Sequence, residues 1–543
     1  MYLFKLLTTF TNEFIDLYMA QKLKKEIGTF GLLLTSVAGI IGSGWLFGAF
    51  HAAESSGTYS IIAWIIGGFA MLFIALCFAE LSTMFPKSGA LVHMSHLTHG
   101  QFLGRIWSWI LFLAYVSIPP VEVIAVITYA SKYLPELIHQ KTGLLTFKGL
   151  IVSIIILAII ILLNFLAVKW VVKINSYVTI WKILIPIITI VVLCVYSFHP
   201  ENLIYASNGF SIADALPTIA TAGIAFSFIG FRMAIDLAGE SSNPKKQIPI
   251  ALIGSLGIAL FIYVGLQFAF IVSIPNGETI NWKNLSFISV SAPIATLSAL
   301  IGATWWSIML YADAIVSPLG SSYICVTSSS RITMASGEIS YLPKFLTDLN
   351  RYGAPWKSLI VTFLFGCLFF LPFPSWQQMV SYVTSVILIS FGLGPIILII
   401  LRKKLPERER PFKLKWAGII APLAFFITNC IIIWSGYKTI SFMLNIIIFF
   451  LVICIIQIVF SKSKTLKRKD FIGVLWLAPY FIGLFIISKY GPKTLDGSGM
   501  FGFWTTILCT LVLSIIILFF AVKSSQNSEE IKLAANEIDQ LQV

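Results

Sequence analysis

Apolar residues in this chain come in continuous blocks of about 20 residues, and this pattern limits the possible folds more than any other feature. An α-helix of that length crosses about 30 Å of hydrocarbon. A transmembrane β-barrel would instead alternate apolar and polar residues along each strand. Only 11% of the residues are charged, whereas soluble domains have about a quarter. The sequence therefore predicts an all-α integral membrane protein.

The apolar blocks predict about 14 transmembrane helices, which we call spans 1 to 14. Their approximate ranges are 30–52, 60–85, 105–131, 149–168, 175–197, 215–238, 249–274, 290–325, 358–373, 376–401, 415–435, 442–460, 471–488 and 501–523. The chain then divides into a cytoplasmic N-terminus at 1–28, a ten-helix core at 29–401, about four additional helices at 402–523 and a polar cytoplasmic tail at 524–543.

Basic residues lie mostly in the loops on one side of these spans. Roughly 28 lysines and arginines fall on the predicted inner side and roughly 7 on the outer side, as the positive-inside rule requires. Lys22, Lys24 and Lys25 precede the first span and indicate a cytoplasmic N-terminus. The net charge of +14 follows from this orientation, so we expect the lipid bilayer and no nucleic acid as a partner. The predicted location is the plasma or inner membrane, with both termini cytoplasmic.

The sequence predicts neither a metal site nor a cofactor. The seven cysteines form no CxxC pair and lie in or beside apolar blocks. His93, His96 and His99 recur every third residue without a neighbouring acid or cysteine, and on a helix they would not share one face. No Walker loop that would bind ATP is present either.

The first span contains the stretch Gly39-Ile-Ile-Gly-Ser-Gly-Trp45, which predicts a break in mid-membrane. Gly42 and Gly44 weaken a helix, and Ser43 between them competes for backbone hydrogen bonds. A break would let the N–H groups of Ser43 and Gly44 donate to a carboxylate and the Ile40 carbonyl accept from an ammonium. The alternative is close helix–helix packing through small residues.

The sixth span contains a second such stretch, Ala225-Phe-Ser-Phe-Ile-Gly-Phe-Arg232. Carbonyls near Phe226 and Ile229, beside Gly230, could accept from an ammonium. Two disrupted helices at corresponding places in two five-helix halves indicate an inverted-repeat transporter, whose site lies where the breaks face each other. A zwitterionic amino acid would match the two poles of such a site.

Four stretches resemble the amino acid–polyamine–organocation superfamily of permeases. They are GIIGSGWLFGA (39–49), FAELSTMFPKSGA (78–90), FSFIGFRMAIDLAGESSNPKKQIPIAL (226–252) and SSSRITMASGEISYLP (328–343). The resemblance implies a leucine-transporter-like 5+5 inverted repeat with discontinuous helices 1 and 6 and further helices outside it. The pattern GFRMAIDLAGE resembles the aspartate–proton symporter branch. The chain departs from the family pattern at Ala90, where a second glycine is usual, and at Arg232, where many members carry an acid.

Arg232 is a charged residue within a span, where charge costs about 2.5–3.5 kcal/mol on insertion scales. Its planar guanidinium suits a second carboxylate, which favours an acidic amino acid as substrate. The alternative is an i,i+4 pair with Asp236 that only ties the helix together.

Lys182 lies in the fifth span, and the resemblance implies that it is the proton-coupling residue, with no need for sodium. The alternative is a lysine that extends to the inner interface. Glu122 and Asp313 also lie in spans. Each could join a proton path or a substrate pocket, or could neutralise Arg232 or Lys182.

We therefore predict a proton-coupled amino acid symporter that favours aspartate or glutamate, works by alternating access and is not an enzyme. The alternatives are an amino acid exchanger, a permease for neutral amino acids and, in a different class, a membrane sensor that binds an amino acid without moving it.

Overall fold

The computed structural model describes residues 27–540 except 88, 140–141, 167, 372, 374 and 461–467. The predicted N-terminal segment up to residue 26, most of the basic cluster at 462–469 and the last three residues of the tail lie outside the described residues. Within the described residues, regular structure is helical, apart from isolated bridges between Ile27 and Ser241 and between Ile138 and Leu145.

The α-helices are numbered here in chain order. They are α1 (Thr29–Ile40), α2 (Gly44–Ser56), α3 (Tyr59–Met84), α4 (Ala90–His99), α5 (Gln101–Val116), α6 (Ile118–Ala130), α7 (Phe147–Leu163), α8 (Val168–Tyr196), α9 (Asn202–Tyr205), α10 (Ile212–Thr221), α11 (Ile224–Phe228), α12 (Met233–Asp236), α13 (Pro244–Val272), α14 (Pro293–Leu300), α15 (Thr304–Glu338), α16 (Trp356–Leu368), α17 (Trp376–Lys404), α18 (Ala417–Trp434), α19 (Tyr437–Phe460), α20 (Arg468–Ile472), α21 (Leu477–Tyr490), α22 (Phe503–Lys523) and α23 (Ser528–Gln540). Short 3₁₀ turns cover Pro135–Leu137, Ile229–Arg232, Ala238–Glu240, Lys344–Thr347 and Lys493–Leu495.

Ten helices in the described part of the chain are long and apolar enough to cross a membrane, and two bent helix pairs raise the number to 12. The other two predicted spans correspond to α7 and α16, which have 17 and 13 residues. At 1.5 Å per residue, 13 residues reach only about 20 Å, which is less than the hydrocarbon thickness. The structure is therefore a multi-pass helical membrane protein, as predicted, with two short helices among its spans.

Both predicted breaks are present. In the first span, α1 and α2 meet at an angle of 46°, and in the sixth span α10 and the α11–α12 segment meet at 57°. The sixth break differs from the prediction in its position. It lies at Ala222–Gly223, where Gly223 has φ +81°, whereas residues 225–232 form a short α-helix followed by a 3₁₀ turn. Glycine adopts this left-handed conformation at little cost, so the chain turns there.

Spans that correspond in the two halves pack against each other. The first span contacts the sixth at the 3₁₀ turn 229–232, α3 of the second span lies along α13 of the seventh, and α6 of the third lies along α15 of the eighth. Contacts between equivalent spans are expected around a pseudo-twofold axis in the membrane plane. Together with the two breaks, they give the leucine-transporter-like arrangement that the resemblance implied.

Two segments differ from the sequence prediction. The predicted eighth span at 290–325 is divided into the short α14 and the long α15, which continues to Glu338. The polar tail contains α23, which packs on α4 and buries Ile531 and Ala535. The sequence predicts a polar cytoplasmic tail, but these two apolar residues four positions apart share one helix face, which packs on α4.

The three histidines of α4 have separate partners. His93 lies 3.5 Å from Glu338, His96 contacts the Tyr341 hydroxyl, and the His99 Nε2 atom lies 3.0 Å from the carbonyl oxygen of Ala521. Burial lowers the pKa of His96 and of His99 to about 4, so both rings are neutral near pH 7. Each ring thus contacts a different group around the segment between the second and third spans.

Candidate functional site

Side chains from three other spans satisfy the carbonyls at the end of α1. The Lys182 Nζ atom donates to the Ala38 oxygen at 2.6 Å, Ser321 donates to Gly39 at 3.2 Å, and Tyr263 donates to Ile40 at 2.9 Å. A helix that ends in hydrocarbon must find partners for these groups within the protein. The break is thus held open by polar side chains of the fifth, eighth and seventh spans.

The beginning of α2 is held by a carboxylate. The Ser43 N–H donates to Glu122 Oε2 at 2.7 Å, and the Ser43 hydroxyl accepts from the Trp376 indole N–H at 2.9 Å. A Cβ atom added at Gly42 would lie 2.5 Å from Glu122 Oε1. The N–H that the sequence assigned to a substrate carboxylate is therefore bonded to the protein's own Glu122, which occupies the space beside Gly42.

The end of α1 touches the 3₁₀ turn of the sixth span through two glycines, Gly39 and Gly230. A Cβ atom added at Gly39 would lie 3.2 Å from the Gly230 Cα atom, and one added at Gly230 would overlap the backbone of Gly39 and Ile40. The backbones of the first and sixth spans are therefore in direct contact at this level. Only glycine at residue 230 permits this approach.

The predicted ammonium acceptors already have partners. The Phe226 carbonyl accepts from the Ile229 N–H within the 3₁₀ turn, and the Ile40 carbonyl accepts from Tyr263. Phe226 and Ile229 are buried. The expectation that these carbonyls lie free does not hold in this conformation, because helical turns and the Tyr263 hydroxyl satisfy them.

Arg232 is fully buried, and among the described residues its three guanidinium nitrogens have no hydrogen-bond partner. Its Cζ atom lies 3.4 Å from the centre of the Tyr115 ring. Asp236 accepts from the Tyr115 hydroxyl at 2.7 Å and forms no ion pair with Arg232 within the described set. Among the described residues, Arg232 and Asp236 therefore form no direct hydrogen bond, although their charges interact, and Tyr115 contacts both side chains.

Lys182 is fully buried, so it does not extend to the inner interface as the alternative required. Its ammonium interacts electrostatically with Glu122 and Asp313. Asp313 on α15 accepts from the Trp181 indole and the Ser317 hydroxyl, each at 2.8 Å, and its second oxygen lacks a partner in the described structure. The predicted residues Glu122 and Lys182 thus contact the first break. Asp313 interacts with Lys182, and Arg232 contacts Tyr115 of the third span.

A family model for amino acid permeases matches residues 27–440. The chain belongs to the amino acid permease family. This is a family of transporters, as the resemblance implied, and the match covers both broken spans.

Several curated relatives of this permease are amino acid transporters. The glutamate/serine transporter AimA of Bacillus subtilis (strain 168) is 36% identical over 532 residues, which cover 96% of this chain and 97% of that protein. The aspartate-proton symporter of the same organism is 32% identical over 476 residues, or 86% of this chain and 90% of that one. Its serine/threonine exchanger SteT is 29% identical over 343 residues, or 62% and 74%.

A cleft of about 390 Å³ leads from one surface of the permease towards the first break. Trp376 lies in its wall and stacks on Phe47, with ring centres 4.6 Å apart, and on His51 at 6.2 Å. The Phe226 ring meets the edge of Trp376 at 6.3 Å. Because Trp376 also donates to the Ser43 hydroxyl, its side chain lies between the cleft and the first break.

The opposite end of the permease is closed by buried ion pairs. Arg331 binds Glu240 at 2.7 Å with both side chains buried, and Glu80 pairs with Arg402 at 2.5 Å and Arg410 at 3.2 Å. The backbone before α1 also bonds to the Glu240 carbonyl through the Ile27 N–H at 3.0 Å. Glu80 thus links α3 to the end of α17 and to the loop that follows it.

Glu240→Gln is expected to lower the free energy of unfolding by roughly 3–5 kcal/mol, because it leaves Arg331 buried without a counter-charge. Thermal unfolding of the purified permease in detergent would show a lower midpoint. Glu409→Gln is the matched control, because its pair with Lys245 is largely exposed and contributes at most about 1 kcal/mol. Equal shifts for the two variants would contradict this role of the buried pair.

Sequence reasoning missed Tyr115, Tyr263, Ser321 and Trp376, which contact the break or Arg232. Each lies on an unbroken helix and has no charge that would distinguish it from an ordinary packing residue. Polar residues within apolar spans are the one signal that could have selected them.

Proposed function

We propose that this permease imports amino acids together with protons and favours acidic amino acids. The observation that carries the proposal is the buried guanidinium of Arg232, which lacks a hydrogen-bond partner among the described residues. A buried charge without a hydrogen-bonded partner lowers the stability of the fold. Such a residue is typical of a site where a bound ligand supplies the missing partner. A carboxylate supplies two parallel acceptors that match the guanidinium.

The two carboxylates of an acidic amino acid would bind at the two broken spans. The α-carboxylate would bind at the N-terminus of α2, where Ser43 and Gly44 present the positive end of a half-helix. The side-chain carboxylate would bind Arg232, which lies two residues beyond the contact between Gly39 and Gly230. The names of two relatives, a glutamate/serine transporter and an aspartate-proton symporter, support an acidic substrate.

Lys182 is the proposed coupling residue. Its Nζ atom is held 2.6 Å from the Ala38 carbonyl at the end of α1, within a fully buried environment. Loss of its proton would remove the charge that holds this half-helix, so protonation would alter the geometry of the first break. The coupling therefore needs no sodium site in this proposal.

The cleft beside Trp376 would face the outside if both termini are cytoplasmic. Trp376 and Phe226 would then close over the substrate from outside, and the buried pairs of Glu240 and Glu80 would close the inside. Alternating access requires these two closures to open in turn.

Arg232→Ala is expected to reduce aspartate and glutamate uptake by roughly 10- to 100-fold, because a hydrogen bond to a charged group contributes about 1.5–3 kcal/mol. Uptake of serine should be retained. The measurement is uptake of labelled amino acids by proteoliposomes with and without an inward proton gradient. Arg351→Ala is the matched control, because Arg351 is exposed in a loop.

Loss of all substrates to the same degree, or of none, would contradict the role of Arg232. Uptake driven by internal amino acid and unaffected by the proton gradient would identify an exchanger instead. Binding without any uptake would identify a sensor.

A further inference from the structure

We propose that Glu122 acts as an internal substitute for the substrate carboxylate in the empty permease, and that Glu122 takes up a proton when the substrate carboxylate displaces it from Ser43. This inference rests on the proposed function and adds a second titrating residue to it.

The polarity of the first break is the first argument. Its carbonyl end receives the Lys182 ammonium at 2.6 Å, and its N–H end receives the Glu122 carboxylate at 2.7 Å. A substrate carboxylate would bind the same N–H end of the break. The protein thus already places a carboxylate at the pole that the substrate carboxylate would need.

The position of Glu122 is the second argument. It follows Pro119 and Pro120 in the first turn of α6, is buried, and fills the space where a side chain at residue 42 would lie. A substrate carboxylate bonded to the Ser43 N–H would need the place of Glu122 Oε2. Substrate and Glu122 therefore compete for one donor.

The fate of the displaced carboxylate is the third argument. The titratable groups facing Glu122 are Lys182 on α8, Tyr263 on α13 and Cys325 on α15, and Asp313 faces Lys182 in turn. Lys182 is bonded to Ala38, and the Tyr263 hydroxyl is bonded to Ile40. A carboxylate moved away from Ser43 would stay buried without its backbone donor, and such a group becomes neutral by binding a proton.

Charge balance leads to the same conclusion. We call the buried charged residues of the third, fifth, sixth and eighth spans near the two breaks the buried set. It contains two cations, Lys182 and Arg232, and three carboxylates, Glu122, Asp236 and Asp313. Aspartate or glutamate would add one further negative charge. One proton on Glu122 would offset it, so the net charge of the buried set would not change.

The sign of the pH dependence follows from this competition. Because the empty site holds ionised Glu122 and the occupied site holds protonated Glu122, substrate binding takes up one proton and tightens as the pH falls. At a pH between the pKa of Glu122 in the empty site and its pKa in the occupied site, the Kd for aspartate should rise about tenfold per pH unit.

The test is calorimetric binding of aspartate to the purified full-length chain over the acidic to neutral range, in two buffers with different ionisation enthalpies. Wild type should take up about one proton per aspartate bound and show the expected slope of Kd with pH. Glu122→Gln should bind aspartate with no proton uptake and little pH dependence. Glu136→Gln, which alters an exposed carboxylate, should behave like wild type.

Each other result overturns the inference in an identifiable way. Aspartate binding to wild type without proton uptake would overturn it even if the Glu122→Gln chain does not fold. A slope that persists in Glu122→Gln but disappears in Lys182→Ala would place the proton on Lys182 alone. Failure of wild type to bind any amino acid would instead count against the proposed function.

Discussion

Gly230→Val is expected to abolish amino acid uptake, because the added side chain would overlap the backbone of Gly39 and Ile40. Overpacking against side chains costs about 1–3 kcal/mol, and backbone yields less readily than side chains do. The two broken spans would have to separate, which would displace the end of α1 and its contact with Lys182. Uptake by proteoliposomes should fall to the level of empty liposomes.

Gly257→Val on α13 is the matched control, because no atom lies within 4 Å of a Cβ added there. This variant carries the same extra atoms in a helix and should retain uptake close to wild type. Thermal unfolding of both variants separates misfolding from loss of function. Uptake by Gly230→Val near the wild-type rate would show that the first and sixth spans need not touch.

Lys182→Ala is expected to abolish accumulation of substrate against its gradient, so that the inside-to-outside concentration ratio falls to about one. The reason is that the Ala38 carbonyl loses its buried ammonium and the permease loses a group that can release a proton. Accumulation of labelled aspartate under an inward proton gradient measures this directly. Exchange of internal for external substrate should persist, because it needs no net proton movement.

Two further variants sharpen this prediction. Lys182→Arg keeps the positive charge but does not release its proton near neutral pH, so it should also fail to accumulate substrate. Lys173→Ala removes an exposed lysine from the same helix and should accumulate substrate like wild type. Accumulation by Lys182→Ala equal to that of wild type would refute the coupling role.

The hydrogen bonds at the first break explain how a membrane permease can keep irregular backbone at mid-membrane depth. Three of the last four carbonyls of α1 are satisfied by side chains from other spans, and the fourth, that of Val37, accepts from the Ile41 N–H at 2.8 Å. Such complete pairing is required where water does not reach.

The sequence by itself determined the membrane-spanning class, the position of the first break and the family. These features depend on local properties: the length of apolar runs, the weak helix propensity of Gly42 and Gly44, and short motifs that can be compared directly. The predicted sixth break lies a few residues late, because Gly230 also interrupts the apolar run, whereas the left-handed turn lies at Gly223. Local signals predict that a helix will break more reliably than they predict the residue at which it turns.

Only the tertiary structure decided which groups meet at the site. Glu122 bonds to Ser43 across 79 residues of sequence, Tyr263 to Ile40 across 223, and Trp376 to Ser43 across 333. Arg232 could have paired with Asp236 one turn away, yet its guanidinium lies over the Tyr115 ring of another span. The packing of distant helices decides which groups lie next to a buried charge. Because the dielectric constant of the interior is low, the charge interacts strongly with the groups that the fold places there.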